Sequence, residues 1–203
     1  RLAYRVMEET GGNQKIVLDD EGKNLILRKI AGDYEDELTI LRGNLKRQGY
    51  ISEVKSVISE FAQYDIREEQ IDAMMEQAGV GTSLYYKLSD LKKVYQGFYA
   101  YLEENYITRE EILDLLCKRV PKSAILKDSV LALDGFTGFT PVQMKLLHRC
   151  MHVVKDMYVT VTMDVREDPL ADHGIQDLFY MSRKMTAALL RAAKEETYIV
   201  EEP

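Results

Sequence analysis

Long apolar runs are missing from this chain of 203 residues. Nowhere do eighteen apolar residues follow one another, so no segment reads as a membrane-spanning helix. No targeting pattern of basic, apolar and small-residue regions opens it. Cysteine is scarce: Cys117 and Cys150 lie far apart and form no C-x-x-C. That fits a reducing compartment, the cytoplasm, rather than a disulfide framework. Positive charge is short as well, with 27 Lys and Arg against 34 Asp and Glu and a net charge of −7. A free-standing nucleic-acid binder needs cations for phosphates, so this balance argues against one while leaving room for a local basic strip. The phosphate-loop string G-x-x-x-x-G-K-[ST] does not occur, nor does any internal repeat or low-complexity tract. The first residue is Arg1 rather than Met, as expected of a piece of a longer protein. What is present, 46% hydrophobic and 30% charged residues, suits one large or two small globular domains.

Most of the chain has helical periodicity. Leu2, Val6 and Met7 mark a short amphipathic segment that Gly11 and Gly12 stop. Ile16-Val17-Leu18 is too short to assign alone. Acids at Asp19, Asp20 and Glu21 precede Leu25, Ile26 and Ile30 at helical spacing, and Gly32 ends that helix. From Asp36 to Ile66 the pattern stays helical with a break at Gly49, and Val54, Val57, Ile58 and Phe61 form an apolar face. A further helix covers 67–77. Ser83 is read as the cap of the next, whose Leu84, Leu88, Leu91, Tyr95, Phe98 and Leu102 give the strongest periodic signal. Thr108 and Glu111 make a capping box for a helix reaching Arg119.

Character changes after Pro121. Ser129 to Leu133 reads as a buried strand, Pro141 starts a helix that runs to about Val154, and Tyr158 to Met163 reads as a second buried strand. A loop then leads to a helix from about Ile175 to Glu195, with Tyr198-Ile199-Val200 as a candidate last strand. Two strands joined by one helix should pair in parallel, and ligands in such sheets sit beyond the carboxyl ends of the strands. Both strands end near an aspartate, Asp134 and Asp164. The expected fold class is α/β, predominantly helical: a small parallel P-loop-motor-like sheet with a large helical insertion. Residues 1–32 and 119–203 would form the partial motor-like core and 33–118 the insertion.

Several strings resemble one family. "LAYRVM" with "IVLDDEGKNLILRKI", then "LDGFTGFTPVQMKLL", then "VTVTMDVRED", resemble in order and spacing segments of UvrD-like, superfamily-one helicases. The second is similar to their Walker B strand and the third to their third motif. "GYISEVKSVISEFAQYDI", "DGFTGFTPVQ" and "LFYMSRKMTAALLRAAKE" narrow the resemblance to the AddB component of the AddAB helicase–nuclease, also called RexB. The resemblance implies a partner of the AddA type in a heterodimer. It implies action on DNA at double-strand ends and on single strands scanned for a Chi-type sequence, in recombinational repair. It also implies Mg²⁺, ATP and an iron–sulfur cluster in the parent complex, although this chain has no counterpart of the nuclease motif or the cluster cysteines.

An intact Walker B site needs two carboxylates, one for the Mg²⁺ shell and one to orient the attacking water. Asp134 can be the first, but Gly135 stands where the second belongs. In the third motif the place of the phosphate-sensing Gln falls on Glu167. The expectation is therefore a nucleotide-site remnant at Asp134 and Asp164, with no catalytic residue and no cofactor in this piece. Candidate DNA contacts are the strip Arg42, Lys46 and Arg47, with Lys55 further on, and the aromatic and basic residues Tyr86, Lys92, Lys93 and Tyr99. Arg183, Lys184, Arg191 and Lys194 form a second strip. The competing reading of each is a solvated face, helix packing or a subunit interface. His148 and His152 stand four apart, but no third ligand accompanies them, and no metal is expected. The alternative for the whole is a helical protein-interaction module without a nucleic-acid role.

Overall fold

The structure is a computed structural model that describes residues 2–12, 15–44, 47–103, 105–164, 166, 168, 170–171 and 174–195, with Gln48 and Glu195 described by backbone alone. Its elements are α1 (Leu2–Glu9), β1 (Ile16–Val17), α2 (Asp20–Asp33), α3 (Gln48–Gln63), α4 (Glu68–Ala78) and α5 (Ser83–Leu102). They continue with β2 (Tyr106–Ile107), α6 (Arg109–Arg119), α7 (Ala124–Lys127), β3 (Val130–Leu133), α8 (Pro141–Met151), β4 (Asp156–Val159) and α9 (Tyr180–Glu195). Helix predominates, with two small parallel pairs of strands, β1–β2 and β3–β4. The chain divides into two compact units, residues 13–114 and residues 1–12 with 115–203. These bounds differ from the expected insertion at 33–118. Helix α2 belongs with the helices that follow it, because its Leu27, Ile30 and Ala31 share their core.

The helical unit is built on α2, α3 and α5. Ile51, Val54 and Ile58 of α3 and Leu91, Val94, Phe98 and Leu102 of α5 close over that face of α2. Asp19 caps α2 by accepting from the Gly22 amide at 2.8 Å. Thr82, not Ser83, caps α5, its hydroxyl accepting from the Tyr85 amide at 3.1 Å. Residues 38–44 are not helical, although their pattern reads so. The Asp90 carboxylate, 1% exposed, accepts from the amides of Thr39 (3.0 Å), Ile40 (2.7 Å) and Leu41 (2.9 Å). With those amides satisfied from α5, the segment has no need of helical bonds, and Leu38 and Leu41 enter the core. Lys23 is buried too. Its ammonium meets Glu110 at 2.8 Å and Ser59 at 3.3 Å, so the charge is paired where water is scarce.

In the other unit, Glu9 at the end of α1 accepts from the Ser123 hydroxyl at 2.5 Å and from the amides of Ala124 and Ile125 at 2.8 and 3.0 Å. These bonds, the Ser123 hydroxyl foremost, hold its carboxyl below the usual range. Strands β3 and β4 run parallel with Val130 level with Asp156 and Leu133 with Val159. The second strand thus begins and ends earlier than the expected 158–163. Its ladder extends only through the Thr160 amide to the Leu133 carbonyl at 2.9 Å, since β3 stops there and leaves 161–163 nothing to pair with. The expectation of buried strands is corrected as well. Leu131, Leu133, Met157 and Val159 pack inward, but Val130 is 54% and Tyr158 61% exposed, because no second layer covers that face among the described residues. Helix α8 starts at Pro141 with a Thr140–Gln143 capping box and ends at Met151, a few residues early. Helix α9 starts at Tyr180 rather than Ile175, since 175–179 form turns braced by Asp177. The expected strand at 198–200 lies outside the described residues.

The tightest approach in the helical unit is at Gly97. A Cβ there would stand 2.7 Å from Tyr34 Cε2 and 2.8 Å from Ile30 Cγ2. Gly32 of α2 has open space around it. In urea unfolding, Gly97→Val is expected to lower stability by about 1–3 kcal/mol through overpacking. Gly32→Ala is expected to raise it by up to about 1 kcal/mol through helix propensity.

Candidate nucleotide and nucleic-acid interface

The register of β3 and β4 brings Asp134 and Thr160 level, one step beyond the last pair. The Thr160 hydroxyl donates to Asp134 Oδ1, so the carboxylate is already engaged by the neighbouring strand. Gly135 follows with φ +74°, a conformation that suits glycine and not the acid a Walker B strand would carry. The turn lifts Phe136 into solvent, 44% exposed, with Phe139 behind it at 5.0 Å between ring centroids. Asp164 lies four residues after Thr160. It accepts from the Arg166 amide and Nε, both at 3.0 Å, and from Nη2 at 2.6 Å. The Arg166 hydrogen bonds hold its carboxyl below the usual carboxylate range, and Arg183 adds attraction. Arg183 is itself buried, its Nε donating to Asp177 at 2.7 Å and its Nη1 to the Asp168 carbonyl. Glu167 lies outside the described residues. No group of three His, Cys, Asp or Glu among the described residues could hold a metal ion. His148 and His152 meet edge to face at 5.1 Å. Cys117 and Cys150 are free and buried, and burial pushes the Cys150 thiol up to about 11.

The candidate DNA residues do not converge. Arg42 pairs with Asp36 at 2.5 Å, Arg47 is exposed ahead of α3, and Lys46 lies outside the described residues. Lys55 stands 4.0 Å from Asp20. Lys92 is held by Asp72 at 2.6 Å, and Lys93 donates to the Glu37 carbonyl at 2.7 Å. Tyr99 packs on Tyr95 at 4.5 Å and on Phe98 at 5.4 Å against the core, where burial raises its phenol pKa strongly. Its ring face is thereby occupied. Tyr86 remains 38% exposed, edge-on to Tyr85. On α9, Arg183 turns inward while Lys184, Arg191 and Lys194 are exposed.

The sequence profile of the family described as AddB, N-terminal, matches residues 1–203. The chain belongs to the AddB N-terminal family. Its curated relatives are named as the second, B-type component of an ATP-dependent helicase/deoxyribonuclease. The chain is 42% identical over its whole length to the one from Lachnoclostridium phytofermentans, covering 18% of that protein. It is 33% identical over 91% of its length to the protein of the same name from Alkaliphilus oremlandii, of which it covers 16%. The like-named protein of Heliobacterium modesticaldum is 32% identical over 99% of the chain, which covers 17% of it. The chain thus spans less than a fifth of these relatives.

Within this AddB N-terminal chain, sequence reasoning finds both aspartates and misses their partners. Thr160 sits inside an expected strand, and only the register shows it facing Asp134. Phe136 stands in the string DGFTGFT, which gives no sign of its exposure. Arg166, two residues beyond Asp164, was a legible signal for a local ion pair. A carboxyl NMR titration should show Asp164 protonating below the ordinary aspartate range and moving up toward it in Arg166→Ala. Because the folded value is the lowered one, the associated stabilisation is present above the ordinary aspartate value and is lost as pH falls through the folded one.

Proposed function

We propose that this chain is the N-terminal part of an AddB-type component of an ATP-dependent helicase–nuclease that processes DNA double-strand breaks for recombinational repair. In that assembly it pairs with an AddA-type partner. Here it serves as a motor-like scaffold without ATP hydrolysis and as a contact for single-stranded DNA. One observation carries the reading: Asp134 is bonded to Thr160 and followed by Gly135 at φ +74°, where a motor would place a second carboxylate.

Mg²⁺ and ATP do not fit these residues. The Asp134 carboxylate accepts from Thr160, Asp164 is held by Arg166, and the sequence offers no phosphate loop to cradle a triphosphate. An iron–sulfur cluster does not fit either, since four ligands are needed and the two cysteines are both buried. What the site can do is hold shape. The Asp134–Thr160 bond fixes the strand ends, and the glycine turn presents Phe136, braced by Phe139, as an aromatic face on which an unpaired base can stack. A second reading, the helical protein-interaction module, is favoured for one unit by its charge. Residues 13–114 carry 13 Lys and Arg against 20 Asp and Glu, so the whole net charge of −7 falls there. A protein partner suits that surface better than DNA does.

The test is steady-state phosphate release with Mg²⁺, ATP and single-stranded DNA, on wild type and Gly135→Glu. Neither protein is expected to exceed background, because a restored carboxylate still lacks the parts that position the phosphates. Gly135→Glu should also melt at a lower temperature, by about 1 kcal/mol of strain at the positive φ. Turnover in either protein would contradict the reading.

A further inference from the structure

The charge of this chain is divided between its units. Residues 1–12 and 115–203 hold 14 Lys and Arg and 14 Asp and Glu, so this unit is neutral while the helical unit carries −7. Inside the neutral unit the cations are not spread evenly in their pairing. Arg166 is bonded to Asp164, Arg183 to Asp177, and Lys155 stands 3.5 Å from Asp128. Lys184, Arg191 and Lys194 are exposed, and no ion pair among the described residues involves them.

Helical geometry lines these three up. Ser182, Arg183, Met185 and Leu189 are the buried face of α9, and Met185 and Leu189 pack on Leu147 of α8. At 100° per residue, Lys184 and Arg191 fall about 20° apart on the opposite face, with Lys194 on its flank. Lys184 and Arg191 are about 10 Å apart along the axis, and only Ala187 and Ala188 stand between them on that side. Lys184 is also held near the Tyr180 ring, 5.8 Å from its centroid, which restrains the long side chain. Solvent-facing cations with no acid to answer them, above a floor of small side chains, fit a polyanionic backbone.

We infer that this face of α9 is where the chain meets the phosphates of single-stranded DNA, rather than the Arg42–Arg47 strip. The inference rests on the reading that the chain contacts DNA and names the surface that does so. The Arg42 strip sits on the unit that carries −7, and Arg42 is already paired with Asp36. The α9 ridge has neither handicap. Three cations limit the affinity. At about 0.7 per phosphate on a single strand, the slope of log K against log salt is about −2. The sequence also sets Glu195 and Glu196 directly after Lys194, which bounds the ridge and weakens it.

The experiment is a fluorescence-anisotropy titration of labelled oligo(dT) across a salt series, with melting curves for each variant. Lys184→Ala with Arg191→Ala is expected to weaken binding about tenfold at low salt and to reduce the slope by about 1.4. Lys184→Arg with Arg191→Lys should retain binding, Glu195→Gln should tighten it, and Arg42→Ala with Arg47→Ala should leave it unchanged. Bound oligo(dT) should protect Lys184 and Lys194, but not Lys87, from acetylation. If wild type binds and the α9 variants bind equally well, or only the Arg42/Arg47 variant loses affinity, the inference is overturned and the DNA reading stands. If wild type does not bind at all, the DNA reading fails and the inference with it.

Discussion

The parallel ladder between β3 and β4 is the constraint from which the candidate site follows. Four residue pairs set its register, and the register decides which side chains meet at the carboxyl ends. Parallel pairing also demands a crossover, and α8 supplies it, started by Pro141 and the Thr140 capping box. One face of the ladder rests on Leu147, Met185 and Leu189, so α9 is placed by the same packing. A slip of one residue would turn Leu131 and Leu133 outward and part Asp134 from Thr160.

Each carboxylate at those strand ends is answered by a neighbour of its own chain. Asp134 takes the Thr160 hydroxyl, and Asp164 takes Arg166 within the same turn. In a working motor such carboxylates face a hydrated metal and a nucleotide; here they stabilise the turns that hold them. The aromatic pair Phe136 and Phe139 lies beside this closed polar site, and α9 presents its unpaired cations on the same neutral unit. The acidic helical unit keeps its own cations occupied, as Lys23, Lys29, Lys92 and Lys93 illustrate. Function by shape and charge, with protein and DNA as partners, is the consistent reading of both units.

The fold was legible where local signals act alone. Periodicity located α3, α5 and α9, the Thr108–Glu111 box located the start of α6, and Pro141 the start of α8. It failed where a distant residue decides. Asp90 overrides a helical pattern at 38–44 from about fifty positions away, and two-residue strands such as β1 and β2 exist only because they find each other. The strip Arg42, Lys46 and Arg47 looked basic because the sequence does not show Asp36 turning onto Arg42. Tyr99 looked like an available ring because the stripe on α5 is wider than its leucines mark. Asp134 and Asp164 could be read from strand ends; what binds them required the register.

The central claim is that these strand ends no longer receive a nucleotide. The most direct measurement is thermal unfolding of the chain against rising concentrations of a non-hydrolysable ATP analogue with Mg²⁺. A ligand that binds only the folded state raises stability by about 2.7 kcal/mol at a hundred times its dissociation constant. The account predicts a melting temperature that does not move into the millimolar range. A saturable rise that disappears in Asp134→Asn would contradict it.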